Sequence, residues 1–131
     1  MKTVKIKQLA KEEKNKLLLS YVAMSDKDKE TLGSPEEYVA NSSNQTLLIL
    51  QHVKATTSWK DIEEAIDFVK VIKQLKKEIK ATEISIEDAE HALILKKMNE
   101  AIKTLKGSIM EVYVEVYEHF KSPLEAGSEK K

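Results

Sequence analysis

Three groups of residues have the types and spacing to do chemistry. The stretch "SDKDKETLGSPEE", residues 25–37, sets Asp26, Asp28 and Glu30 at alternate positions and Glu37 where a calcium loop places its closing carboxylate. Such a loop needs glycine at its sixth position for the sharp turn. Here that residue is Thr31, Gly33 comes two places late and Pro35 interrupts the exit. Two successive helix starts explain the same residues, because acids in a first turn favour the positive end of the helix dipole. That reading is preferred to an ion site.

The histidines are His52, His91 and His119. Carboxylate-bridged metal bundles use a Glu-x-x-His pair on each of two helices. This chain offers Asp88 three before His91 and Glu115 four before His119, which are mismatched spacings, one of them with an aspartate. No catalytic triad is legible, so no catalytic, cofactor-binding or metal residue is assigned. A metal-dependent helical enzyme stays as an alternative reading.

The third group is lysine: "KVIKQLKKEIK" at 70–80 and "KKMNEAIKTLK" at 96–106. In each segment acids come first, Asp61, Glu63, Glu64 and Asp67 in one and Glu87, Asp88 and Glu90 in the other, and lysines come last. That order suits the macrodipole and needs no ligand. A nucleic-acid-associated regulator using these faces is the second alternative. Lys plus Arg and Asp plus Glu number 22 each, all the cations are lysine, and net charge is zero, so no global field recruits an anion. Arginine's planar fork, the commonest tool for reading guanine, is absent. A helix–Gly33–helix unit could pass for a DNA-binding turn, but Glu36 and Glu37 would meet phosphate with like charge.

The elements that must position these residues read as helices. At 131 residues, one domain with a single core is expected. Ser followed three residues later by an acid, the capping-box spacing, occurs at Ser25, Ser34, Ser58, Ser85 and Ser108. Residues 9–24 put Leu17, Leu18, Tyr21 and Val22 on one face; 26–32 form a short helix ended by Gly33; Pro35 opens the next; "NSSNQ" breaks it; and 46–55 are taken as helix. Two stripes follow: Ile62, Ala65, Ile66, Val69, Ile72, Leu75 and Ile79, then His91, Leu95, Met98, Ile102 and Leu105 up to a stop at Gly107. "TVKIK" alternates as a short strand or extended arm. The expectation is an all-α compact bundle of about five or six helices over 1–121, with a flexible tail at 122–131.

Cysteine is absent, the N-terminus lacks an apolar signal core, and no apolar run approaches a membrane span, so a cytoplasmic protein without membrane contact is expected. The stretch "ISIEDAEHALILKKM", residues 84–98, resembles segments of small helical proteins of tailed phages. It covers about a tenth of the chain, carries no functional residue, and implies no more than a phage or mobile-element origin.

The second stripe continues in register through Ile109, Val112 and Val116, as though one helix ran through Gly107 or the last helix happened to align with it. An apolar stripe of that length exceeds what a small domain covers, which marks a contact surface. Ile109, Val112, Tyr113, Val116, Tyr117 and Phe120 are therefore expected at an interface, with a symmetric homodimer as the default and another protein partner as the alternative. The leading reading is a non-enzymatic helical protein acting through protein–protein contact, in an assembly, accessory or regulatory role.

Overall fold

A computed structural model describes residues 1–105 and 107–124, with Ser108 placed by its backbone alone. The expected Ser108 cap, Lys106 and the tail from residue 125 onward lie outside what is described. The order is β1 (Lys2–Lys5), α1 (Lys11–Val22), α2 (Asp26–Leu32), α3 (Pro35–Ser43), α4 (Gln45–Thr56), α5 (Ile62–Lys77), β2 (Glu83–Ile86), α6 (Asp88–Ala101), a 3-10 turn (Ile102–Thr104) and α7 (Gly107–Lys121). The fold is all-α, with a short N-terminal strand in a two-stranded sheet.

The core lies among α4, α5, α6 and α7, with the sheet against α7. β1 and β2 run antiparallel, with Val4 opposite Ile84 and Lys2 opposite Ile86. Period-two alternation turns Val4, Ile84 and Ile86 inward, where they join Leu50, Val53, Phe68, Ile94, Met98, Val116 and Phe120. The chain stays with the fold to Leu124, whose amide donates to Thr3 O at 2.8 Å on the other edge of β1.

Two of the capping sites hold. Ser25 Oγ accepts the Asp28 amide, and Ser34 with Glu37 forms a reciprocal capping box behind Pro35. Gly33 between them has φ +83, and an added Cβ would meet Glu37 Oε1 at 3.1 Å, so glycine is required there. Two expected caps are corrected. Asp61, three residues after Ser58, caps α5 by accepting the Glu64 amide at 2.9 Å. Ser85 lies in β2, its Oγ 3.0 Å from Thr3 Oγ, and α6 begins after Glu87. The serine-acid spacing was matched by a strand because Ile84 and Ile86 both fit an inward-facing pair.

The stripes are also rotated from their expected faces. α5 buries Phe68, Val71, Ile72 and Leu75, while Ile62 is 69% exposed and Ile66 is exposed as well. α6 buries Ile94, Met98 and Ala101, with Leu95 half-buried and Ile102 exposed. Both segments hold more apolar residues than one face needs, so packing partners choose between overlapping stripes. On α1 only Tyr21 is buried; its hydroxyl donates to Gly33 O, its ring lies 5.6 Å from that of Tyr38, and Leu18 and Val22 stay exposed. α1 packs on α3 and not on the core.

A buried polar junction joins these parts. Asn44 Oδ1 caps α4 through the Leu47 amide at 2.9 Å, and its Nδ2 donates to Ile79 O at 3.2 Å. Gln8 Nε2 donates to Ile79 O and Ala81 O, both at 2.9 Å. Backbone bonds from Gln45 N to Lys7 O and from Leu9 N to Ser43 O close the crossing.

Two outcomes follow. Ile94→Ala should cost about 2–5 kcal/mol in urea unfolding, whereas Ile102→Ala should cost about 1 kcal/mol or less; the reverse order would put the buried stripe back on the 102 face. Asn44→Ala should cost about 1–2 kcal/mol, mainly from the lost α4 cap, since Ile79 O keeps its bond from Gln8, and an unchanged unfolding midpoint would show Asn44 to be dispensable at the junction.

Candidate functional site

α6 and α7 form an antiparallel hairpin, as the pairs Met98–Tyr113 and His91–Phe120 require. Tyr113 Oη donates to Met98 O at 2.7 Å, and burial pushes its hydroxyl up to about 12. The helix is therefore not continuous through Gly107: α6 ends at Ala101, tightens into the 3-10 turn, and Gly107 opens α7. This covers much of the expected contact stripe. Tyr113, Val116 and Phe120 are buried in the chain's own core, while Ile109, Val112 and Tyr117 are half-buried. A side chain with no exposed surface cannot meet a partner, so the centre of the expected interface is absent from the surface.

The exposed apolar face of α7 lies one residue round. Met110 and Val114 are exposed at helical spacing, and half-buried Tyr117, which packs against the edge of the core, continues the row. Across a narrow furrow of about 170 Å³ stands Ile102, and it and Val114 are each 43% exposed. Asn99 lies at the edge of this furrow, its Nδ2 3.3 Å from Tyr117 Oη.

Asn99 also lines a second concavity on the other side of α6, an open groove of about 760 Å³. Its walls are Trp59 and Lys60 before α5, and Lys96, Lys97, Glu100 and Lys103 from α6 and the turn after it. Lys97 is the fixed point. Its side chain is only 3% exposed, and Nζ lies 2.7 Å from Glu64 Oε1, 2.7 Å from Ser58 O and 4.7 Å above the Trp59 ring. A buried ammonium needs such partners, because desolvation without them is costly. The Lys97 hydrogen bond, then the Lys60 amide, hold the Glu64 carboxyl down at about 2 from its usual 4.5. Trp59 is pinned from another direction by Phe68, edge-on with centroids 5.1 Å apart.

The chain matches no known family model, no curated protein and no solved structure.

The other candidate residues are occupied locally. Glu37 accepts the Ser34 amide, Asp88 pairs with the N-terminal ammonium at 3.2 Å, and Glu115 pairs with Lys7 at 2.9 Å. His52 Nε2 lies 3.4 Å from Thr104 Oγ1. His119 Nδ1 is buried without a hydrogen-bond partner among the described residues, and burial lowers its pKa from the usual 6.5 against the opposing pull of Glu115. Among the described residues, no three His, Asp or Glu side chains gather as a metal-ligand set. No described helix is long and apolar enough to cross a membrane. Sequence reasoning missed Trp59, Lys97 and Val114 as surface or groove residues. Trp59 could have been flagged as the single tryptophan, but no spacing rule links Glu64 to Lys97 across two helices.

A carboxyl whose folded value is depressed adds stability above its unfolded value, near 4.5, and loses it as pH falls towards about 2. Glu64→Gln should be less stable than wild type at neutral pH and should lose stability less steeply across that window. Thermal melts recorded above and below the window measure this, and parallel curves would show that the pair does not carry the acid sensitivity.

Proposed function

We propose that this chain is a non-enzymatic helical protein that acts through protein–protein contact, in an assembly, accessory or regulatory role. The observation that supports it is the furrow between α6 and α7. Ile102 and Val114 are large apolar side chains held open on its two walls, with Tyr117 half-buried beside them and exposed Met110 one helical turn before Val114 on α7. Single exposed apolar residues are ordinary, but neighbours lining one concave strip are what a partner covers. Tyr and Met are also enriched at interfaces.

The occupant is a second copy of the chain or another protein. Zero net charge leaves no long-range repulsion between copies, and twofold pairing is the commonest form of self-association.

The test reads position 114 directly. A photo-crosslinking amino acid there, in cells that make the chain, should give one discrete adduct, at the mass of two chains or of the chain plus a partner. The same probe at exposed Lys54 should give none. Val114→Glu should abolish association in sedimentation while leaving the circular dichroism of the fold unchanged, since it places an uncompensated charge in the contact and not in the core. Silence at position 114, together with a wild-type chain that sediments as a monomer throughout, would remove this function.

A further inference from the structure

We propose that Lys60, Lys96 and Lys103, set around the Trp59 indole, form a docking groove for an acidic segment of the partner protein. The proposal rests on the contact-surface reading and names the chemistry of what the surface selects.

The argument is one of charge left over. The carboxylates nearest the groove already have partners: Glu64 holds Lys97 at 2.7 Å, and Glu100 lies 3.5 Å from the same ammonium. Lys96 reaches Glu64 at a longer 3.6 Å, with its own side chain largely exposed. Lys60 and Lys103 are exposed and make no ion pair among the described residues. In a chain of zero net charge, the groove therefore carries a local excess of positive charge. A local excess of one sign attracts an incoming segment of the other, most strongly at low salt.

The floor of the groove is held in place by its own contacts, which lowers the ordering cost of binding there. Lys97 and Phe68 fix the indole, and the Lys97 ammonium is tied to Ser58 O beneath it. An arriving carboxylate thus meets exposed lysines over a fixed floor.

Two observations favour a peptide over a nucleic acid. Lys97 takes one face of the Trp59 ring and Phe68 packs against it with centroids 5.1 Å apart, so the ring offers bases at most one face for stacking. Asn99 joins the groove to the apolar furrow of Ile102, Val114 and Tyr117, which suits an apolar side chain next to an acidic one and offers phosphate nothing.

Trp59 is the chain's single tryptophan, so its fluorescence reports on this groove alone. The probe is a short peptide of glutamate and leucine, titrated against the full chain at low salt. The expected result is a saturable change in Trp59 emission. Binding should weaken by about tenfold or more, ~1.4 kcal/mol, in the double variant Lys60→Glu/Lys103→Glu. It should persist in Lys60→Arg/Lys103→Arg, and disappear when glutamine replaces glutamate in the peptide. Both lysines are exposed, and unchanged thermal melts would confirm that the variants fold.

The proposal is overturned by no saturable change, by equal binding in the charge-reversed variant, or by equal binding of the glutamine peptide. Equal or tighter binding of a single-stranded RNA of the same charge would also overturn it, making the groove a nucleic-acid face. A silent groove beside a crosslinking position 114 would remove the acidic segment and keep the furrow. A silent position 114 would remove the furrow itself.

Discussion

Asn44 and Gln8 hold the parts of this molecule in one arrangement. α5 ends in exposed residues at Lys76 and Lys77, and the chain then reaches β2 past the carbonyls of Ile79 and Ala81, which have left the helical ladder. Buried carbonyls without donors cost about 1–3 kcal/mol each. Two side-chain amides, one from the N-terminal arm and one from the α3–α4 joint, supply those donors. The same Asn44 starts α4, and the backbone bonds around it fix where β1 leaves the sheet. The satellite helices α1–α3 therefore hang between two chain segments that meet at one buried point.

The second constraint is the Lys97 ammonium between α6 and the start of α5. A buried ion pair is weak evidence for net stability, because desolvation offsets much of the attraction. It does fix geometry: with Glu64, Ser58 O and the Trp59 face all satisfied by one ammonium, the approach to α5 can take few other paths. The consequence lies at the surface. Trp59 becomes a rigid floor, and the lysines that do not enter the pair are left at the rim of the groove. Structural and interaction roles thus divide a lysine cluster that looks uniform in the sequence.

Along α7 the division is sharper. Three of its apolar residues, Tyr113, Val116 and Phe120, fill the core, and two others, Met110 and Val114, are exposed on another face, with Tyr117 half-buried between the two. A strand-like alternation of valines at 112, 114 and 116 is compatible with both faces of a helix being apolar, and in this helix both are used.

What the sequence by itself determined is local. Helix content, the Ser25 and Ser34 starts, the Gly33 stop, and the alternating N-terminal strand follow from propensity and from hydrogen bonds made within a few residues. The tertiary structure decided which apolar stripe faces inward, because α5 and α6 each carry more apolar residues than one face can bury and only their neighbours discriminate between Ile94 and Leu95 or between Phe68 and Ile66. It also decided that Ser85 belongs to a strand, since that depends on Thr3, 82 residues away. The candidate site was the least legible part: Glu64, Lys97 and Trp59 meet only through the packing of α6 against α5, and Val114 meets Ile102 only because the chain reverses after Ala101. Contacts between residues far apart in the chain depend on the packing of whole helices, and no short window of sequence encodes that packing.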